Sequence, residues 1–301
     1  MKAVQFSEYG SPEVLQVVDV DEPHAGPGQV RIAVRAAGVN PSDWMKLRAG
    51  RWRDRPIPLP SGVGVEGAGV VDEVGEGVID VSIGDAVFGY GINTVAQYAV
   101  LIGWVRKPDD LPFEEAGGFS VVVETSTRIL TQVGVKSGET LLVNGAAGGV
   151  GSAVIQFARY RGITVIGTAS APQHDYLRGL GAIPTTYGPG LVERVRKLAP
   201  AGVNAALDLA GSGVIPELIE LVGDPSRVLS IADFTAPQHC AQVSFKAQKN
   251  PERVLAEAAR LYSEGAFRVI LEKTFPLAQT AEAHKLSAAG QVTGKLVITI
   301  S

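Results

Sequence analysis

The stretch Leu141-Leu142-Val143-Asn144-Gly145-Ala146-Ala147-Gly148-Gly149-Val150-Gly151-Ser152-Ala153-Val154-Ile155-Gln156 decides the fold. An apolar run ends at Asn144, a glycine-rich turn follows, and an apolar pattern of helical spacing starts near Gly149. Strand, turn and helix in that order make the phosphate-binding opening of a βαβ unit. Gly148 lets backbone approach a pyrophosphate that a Cβ would strike, and Gly151 lets the helix lie close against the sheet. The helix N-terminus adds N–H groups without intrahelical acceptors and the positive end of a dipole. In the spacing G-x-G-x-x-G, Ala146 stands in the first glycine's place and Gly149 is an additional glycine inside it. Such a turn can also be no more than a tight connection. The strand before it, the helix after it and the rhythm beyond favour a dinucleotide.

Outward from the turn, strands and helices alternate. A strand at 164–168 precedes a helix at 174–180, helix 191–198 precedes strand 205–209, and helix 215–222 precedes strand 227–231. Right-handed crossovers of this kind build a parallel sheet covered on both faces. Upstream, residues 113–133 have helical spacing with Glu114 and Glu115 early, where acids favour a helix start. Residues 1–120 read as short β-branched runs at 4–6, 15–20, 30–37, 69–74 and 86–88, cut by glycine and proline turns, the rhythm of a barrel-like domain. The Pro-rich stretch 55–60 is an extended loop. After a helix at 251–264, strands at 271–275 and 295–300 return to the first domain around a helix at 278–289. The expected division is therefore a first domain of 1–120 completed by 268–301, and a second of 121–267.

Bulk properties bound the function. At 301 residues, 46% hydrophobic and 19% charged, the chain is a folded protein long enough for two domains. A net charge of −4 without a basic block argues against nucleic acid. No apolar run reaches 18 residues, and the strand-like start Met1-Lys2-Ala3-Val4-Gln5-Phe6 lacks a signal peptide's pattern, so the expected place is the cytoplasm. Cys240 is the single cysteine, and His24, His174, His239 and His284 are scattered. That excludes an intrachain disulfide and a cysteine-rich zinc site.

Several separated stretches share one resemblance. They are Ala37-Gly38-Val39-Asn40-Pro41-Ser42-Asp43, Pro60-Ser61-Gly62-Val63-Gly64-Val65-Glu66-Gly67-Ala68-Gly69-Val70-Val71, Gly84-Asp85-Ala86-Val87-Phe88-Gly89, the turn at 145–151, Gly167-Thr168-Ala169-Ser170, Leu177-Arg178-Gly179-Leu180-Gly181-Ala182 and Gly294-Lys295-Leu296-Val297. In order and spacing the chain resembles the zinc-independent quinone oxidoreductases of the medium-chain dehydrogenase/reductase superfamily. The resemblance implies an α/β protein: a GroES-like β-barrel substrate domain plus a Rossmann domain with a doubly wound parallel sheet, and an active site in the cleft between them. It implies reduction of quinones or of C=C bonds beside a carbonyl. Zinc members hold the catalytic metal near the positions of Asn40 and Val65, where neither residue binds zinc well, and the structural four-cysteine lobe is missing. A metal-free reductase is expected. The superfamily commonly dimerises through an edge strand, here the segment Gln242-Val243-Ser244-Phe245, so a homodimer is expected.

The cofactor expected is NADPH rather than NADH. The second strand of the unit ends Gly167-Thr168-Ala169-Ser170-Ala171, with no carboxylate to bond a ribose 2′-hydroxyl or repel a 2′-phosphate. Ser170 can donate to such a phosphate, or it can simply cap the next helix. The nearest basic candidates are His174 and Arg178. The resemblance puts Tyr187 beside the same phosphate, Thr125 near the nicotinamide, Ile231 at its ribose, and Phe245 and Lys295 at late cofactor contacts, although Phe245 reads equally as a core aromatic. Ala146, Ala147, Gly148, Gly149, Val150 and Thr168 complete the expected cofactor set. Asp208 reads as a carboxylate that organises a loop rather than a catalytic group.

Hydride transfer asks a protein mainly for geometry, for donors aimed at the oxygen where charge develops, and for a proton. Asn40 is the first candidate to donate to a carbonyl or the cofactor ribose. Asp43 is catalytic or a helix cap, and Lys46 donates to an oxyanion or faces solvent. Trp44 and Trp52 wall a substrate slot or pack ordinarily, and Tyr90, which with Tyr98 flanks the loop 91–95, joins the expected pocket where that loop reaches the cleft. Tyrosines found in relatives after the aspartate are replaced here by Trp44-Met45-Lys46, which leaves water as a proton source. The small-molecule substrate is a quinone or an activated alkene. An enoyl or enone reductase of a biosynthetic pathway, or a protein that senses NADPH, are the alternatives.

Overall fold

A computed structural model describes all residues except 53, 54, 247 and 249; the side chains of Arg51 and Trp52 also lie outside the described residues. The first strands form where β-branched runs meet glycine and proline turns: β1 (Lys2–Phe6), β2 (Gln16–Asp19) and β3 (Val30–Val39). Helix α1 (Pro41–Ala49) follows, then the short β4 (Arg51–Trp52), β5 (Arg55–Pro56) and β6 (Ser61–Gly62). Next come β7 (Glu66–Val74), β8 (Ala86–Ile92) and β9 (Tyr98–Arg106), then α2 (Phe113–Gly117) and α3 (Phe119–Val133). The alternating part comprises β10 (Thr140–Asn144), α4 (Gly149–Tyr160), β11 (Thr164–Thr168), α5 (His174–Leu180), β12 (Ile183–Thr185), α6 (Leu191–Leu198), β13 (Ala205–Asp208), α7 (Ile215–Val222), β14 (Val228–Ser230) and β15 (Gln242–Val243). The chain ends with α8 (Pro251–Ser263), β16 (Leu271–Pro276), α9 (Thr280–Ala288) and β17 (Lys295–Thr299). No helix among the described residues is long and apolar enough to cross a membrane.

The chain divides into two units, Met1–Val121 with Asn250–Glu264 and Val269–Ser301, and Val122–Lys249 with Gly265–Arg268. In the first, six strands run in the order β16-β17-β3-β7-β8-β9, and β3 pairs β9 as well as β7. That second pairing closes β3, β7, β8 and β9 on themselves as a barrel, while β17 and β16 extend from β3 and leave β16 outermost. Alternate residues of β3, Val30, Ile32 and Val34, are buried in the core with Val71, Val87 and Leu101. The last strand, β17, lies antiparallel to β3 with Leu296 opposite Val39. Helix α8, expected in the second unit, groups with the first. Its Tyr262 ring lies 6.4 Å from that of Phe119, and Ser263 Oγ donates to Asp110 Oδ1 at 2.9 Å.

Three local expectations change. The stretch 55–60 is not loop throughout, since Arg55–Pro56 pair with Arg51–Trp52, and ahead of it Pro41 at the first turn and the Asn40–Asp43 capping box start α1, which ends at Gly50 in the left-handed region. Strand β9 was not anticipated: Tyr98-Ala99-Val100-Leu101-Ile102-Gly103-Trp104-Val105 is apolar on both faces, so its alternation of buried Ala99, Leu101 and Gly103 is invisible in the letters. The helix at 113–133 is broken at Gly118.

The second unit is a fully parallel sheet in the order β12-β11-β10-β13-β14-β15, the doubly wound arrangement of nucleotide-binding proteins. Leu142, Ile166, Ala206 and Val228 bury one face against Leu191, Val195, Ile215 and Leu218 of α6 and α7. Elsewhere in this unit the rings of Phe157 and Phe267 stack with centroids 4.6 Å apart.

His284 of α9 is buried with neither ring nitrogen hydrogen-bonded among the described residues, and burial pushes its pKa down from 6.5 to about 4. The unfolded chain therefore binds a proton between pH 6.5 and 4 that the folded chain does not. Its contribution is complete above pH 6.5 and falls with pH down to about 4, by roughly 3 kcal/mol in all. His284→Leu should flatten that part of the profile, read from urea midpoints across pH 4–7.

Candidate active site

The turn after β10 has the expected form, with one adjustment. Its left-handed residue is Gly145, at φ +83°, rather than the residue in the first-glycine place, and Ala146 is buried with its N–H on the Thr168 carbonyl at 3.0 Å. A Cβ on Gly151 would sit 2.5 Å from the Ala146 carbonyl oxygen, so the glycine permits the helix to press on the turn backbone. A Cβ on Gly148 would meet only the Gly145 oxygen, at 3.9 Å, leaving open space above the turn. The first helical bond runs from Ser152 N–H to Gly148 C=O. The N–H groups of Gly149, Val150 and Gly151 thus have no helical acceptor, and with the dipole they form a donor set that fits a dinucleotide's pyrophosphate.

A buried polar network ties the strand ends beside this turn. Asp208 Oδ1 accepts from Asn144 Nδ2 at 3.0 Å and from the N–H groups of Ala210 and Gly211 at 3.2 and 3.1 Å; Oδ2 accepts from Ser230 Oγ at 2.7 Å. Thr168 Oγ1 donates to Asn144 Oδ1 at 2.8 Å and accepts from Gly145 N–H at 3.2 Å. Ser230 Oγ in turn accepts from Ala232 and Asp233 N–H, and Ile231 N–H reaches the Asp208 carbonyl at 3.1 Å. Asp208 therefore organises loops, joining β10, β11, β13 and β14 through these contacts. Asn144 and Ser230 are the members sequence reasoning missed as site residues. Their signal is a polar residue closing an otherwise apolar strand.

At the ends of β11 and β12, Thr168 lies opposite Thr185, and Ala169 N–H bonds the Thr185 carbonyl at 3.0 Å. Ser170 and Tyr187 thus leave neighbouring strands on the same side, and Tyr187 is exposed. Ser170 precedes a short 3₁₀ turn without capping it; its hydroxyl donates to Gln173 Oε1 at 3.0 Å. Arg178 is engaged with Asp175 at 2.5 Å, and His174 Nε2 is buried without a partner.

In the first unit a second buried network forms. Glu66 is fully buried, and its Oε1 takes Lys295 Nζ at 2.8 Å and Asn40 Nδ2 at 2.9 Å, while Oε2 takes Val121 N–H at 2.7 Å. Lys295 Nζ also donates to Asn40 Oδ1 at 2.6 Å. Glycines make the room. A Cβ on Gly38 would lie 2.3 Å from Glu66 Oε1, and one on Gly118 would lie 2.8 Å from Lys295 Cγ. Asp43 Oδ2 accepts Asn40 N–H at 3.0 Å. Burial pushes its pKa up to about 6, against Lys46, the Asn40 N–H and Lys295, which pull it down. Asp43 thus has the capping role: it closes the box at the start of α1, beside the polar knot. Glu66 was quoted in a motif but not assigned a role; a lone carboxylate inside Gly64-Val65-Glu66-Gly67-Ala68-Gly69 was the available signal.

The remaining expected residues separate. Trp44 packs α1 on α9: its Nε1 donates to Ser287 Oγ at 3.1 Å and Arg48 lies over its ring at 5.0 Å. Tyr90 OH donates to the Ser120 carbonyl at 2.5 Å. Both tyrosine and tryptophan are thus given packing partners within their unit rather than a bare slot wall. The Trp52 side chain is outside the described residues. Lys46 is half-buried on α1, Thr125 Oγ1 donates to Glu124 Oε2 at 3.4 Å, and Phe245 is exposed by 41%, not a core aromatic.

Residues 26–134 match the family described as alcohol dehydrogenase GroES-like domain, and residues 184–298 match that described as zinc-binding dehydrogenase. A quinone oxidoreductase of Pseudomonas aeruginosa is 32% identical over 99% of each chain. The NADPH-dependent alkenal/one oxidoreductase of Arabidopsis thaliana chloroplasts is 28% identical over 99% of this chain and 79% of its own. A mycobacterial protein solved with NADPH superposes with a TM-score of 0.88 at 26% identity over 99% of this chain and 100% of that one. Zinc does not fit the residues present. Among the described residues no three His, Cys, Asp or Glu side chains gather as metal ligands, and the ammonium of Lys295 stands on Asn40.

Removing one member of a buried pair strands the other charge. Lys295→Met should lower stability by ~3–5 kcal/mol, read by denaturant melts. The double variant Lys295→Met with Glu66→Gln should recover part of that loss, because no unpaired charge then remains.

Proposed function

We propose a function on the premise that these matches supply: this chain belongs to the zinc-independent quinone oxidoreductase group of the medium-chain dehydrogenase/reductase superfamily and is an oxidoreductase. It reduces a quinone or an α,β-unsaturated carbonyl with NADPH. The observation that carries this reading is the open donor set at Gly148–Gly151 in a chain that aligns over 99% of its length with a quinone oxidoreductase. Relatives named for quinones and for enones both align with this chain, and one two-electron scaffold serves both substrates.

When bound, the reduced nicotinamide supplies a hydride. The rest falls to the chain. The N–H groups of Gly149, Val150 and Gly151 hold the pyrophosphate, with Ala146 and Ala147 shaping the turn beneath it. The loops fixed by Asp208 and Ser230 present Ile231, and Thr125 and Phe245 serve the nicotinamide side. Asn40 spends one amide N–H on Glu66 and retains the other for a substrate oxygen or the ribose. Lys295 polarises that amide through the Asn40 carbonyl oxygen, so a donor backed by a cation meets the oxygen on which charge develops. One hydride and one proton complete the reduction, and water supplies the proton. Ser170 and Tyr187 receive the 2′-phosphate, since no carboxylate ends β11.

Strand β15 is the outermost of its sheet, and two copies pair along it as a homodimer. Sedimentation at micromolar concentration that shows only monomer rules this pairing out.

Absorbance loss of NADPH with quinone and enone panels tests the activity; tight nucleotide binding with no turnover on either panel overturns it. Ser170→Asp should weaken NADPH binding about tenfold or more and NADH binding little, since a carboxylate repels the 2′-phosphate. Equal constants for NADPH and NADH in the parent protein refute the preference.

A further inference from the structure

The two basic residues nearest Ser170 in sequence are already placed: His174 has its Nε2 buried, and Arg178 pairs with a carboxylate, that of Asp175. Arg194, one turn into α6, reaches back over the loop that follows β12. Its Nη1 donates to the Pro189 carbonyl at 2.7 Å, and its Nη2 lies 2.9 Å from the carbonyl of Thr186, 3.3 Å from that of Tyr187 and 3.1 Å from that of Gly188. The approach is close: a Cβ on Gly190 would lie 3.0 Å from Nη1, and that residue sits in the left-handed region at φ +78°. One guanidinium therefore fixes four consecutive carbonyls and, with them, the position of the exposed Tyr187.

Two further facts bear on charge. Carbonyl dipoles satisfy hydrogen bonds but carry no net charge. Arg178 and Arg196 each have a carboxylate, Asp175 and Glu220, whereas no carboxylate among the described residues pairs with Arg194. Glu193 Oε2 lies near the same point, 3.7 Å from where a Gly190 Cβ would stand, without forming an ion pair with Arg194, so the positive charge behind the loop is only partly offset. The parallel pairing of β11 with β12 brings Ser170 and that loop to one end of the sheet, with strand axes about 4.8 Å apart.

We propose that Arg194 is a specificity-determining positioning residue: it clamps the 186–189 loop so that Tyr187 stands beside Ser170, and its charge, hydrogen-bonded to carbonyls rather than paired with a carboxylate, favours a nucleotide bearing a 2′-phosphate over one bearing a 2′-hydroxyl. The inference rests on the nucleotide-binding reading above and names what makes the site discriminate. A phosphate monoester carries about two negative charges near neutral pH, so it gains from this field where a hydroxyl does not. The guanidinium acts through the loop and through space, not as a ligand of the phosphate.

Calorimetry with four probes tests it: NADPH, NADH, 2′,5′-ADP and 5′-AMP. Arg194→Met should weaken NADPH and 2′,5′-ADP about tenfold and leave NADH and 5′-AMP within about twofold, the split expected when a charged hydrogen-bonding contribution is lost. Arg196→Met removes the same charge two residues away, and since its own charge is already paired at the surface it should leave the NADPH to NADH ratio within about twofold. If Arg194→Met does not fold, Arg194→Lys decides, because a point ammonium keeps the charge but cannot span four carbonyls; it should lower the ratio about threefold. Equal weakening of the phosphorylated and unphosphorylated probes marks Arg194 as merely structural and overturns the proposal, as does no change in either. A parent protein that binds none of the four overturns the nucleotide-binding reading itself, and the clamp falls with it.

Discussion

The buried ion pair between Lys295 and Glu66, bridged on both sides by Asn40, constrains how the first unit is assembled. Charges taken out of water are tolerated only when each finds a complete set of partners. Here the set comes from four places far apart in the chain: the end of β3, the start of β7, the start of α3 and the first residue of β17. The last strand cannot leave the first unit without stranding a carboxylate, and β3 cannot shift register without removing Asn40. Gly38 and Gly118 follow from the same constraint, since any side chain there would occupy the volume of the carboxylate or the lysine stem. Four stretches that look like independent motifs are thus one physical object.

The second unit has a counterpart built on the same principle but with a single charge. Asp208 receives four hydrogen bonds, from Asn144, Ala210, Gly211 and Ser230. Each donor belongs to a strand end or a loop on the side of the sheet where the glycine turn lies. In a parallel sheet the strands are held by their ladders, but the loops beyond the last ladder bond are not. A buried carboxylate that collects their N–H and hydroxyl groups fixes them instead. This is why strand ends that read as plain apolar runs close on Asn144, Thr168, Asp208 and Ser230.

Much of this was legible in the letters, and what was not has identifiable causes. The parallel sheet was readable because turn, helix and strand recur with short connections, and glycine marked the turn itself. Helix α1 hid behind Pro41: proline reads as a strand breaker, yet at a first helical position, with Asn40 and Asp43 closing a capping box, it starts a helix. Strand β9 hid because both of its faces are apolar. The knot around Glu66 was invisible for a deeper reason. Its members lie up to 255 positions apart, Asn40 to Lys295, and no local period connects them. The motifs that contain them signalled resemblance, while the contact that explains the motifs exists only in three dimensions. The Arg194 contacts with the carbonyls of 186–189 are likewise invisible in the letters, since they depend on how α6 turns back over the loop before it.

Both networks hold their members through directional hydrogen bonds. A lysine and a glutamate in contact nearly cancel at a distance, so the knot adds little net field to its surroundings. What it leaves is orientation: an amide held at both its oxygen and its nitrogen, with one N–H fixed in direction. Replacing the pair with apolar residues of the same volume could keep or even raise stability, but it would release Asn40 to turn. The buried ions are therefore better understood as the cost of holding one amide still than as a source of stability.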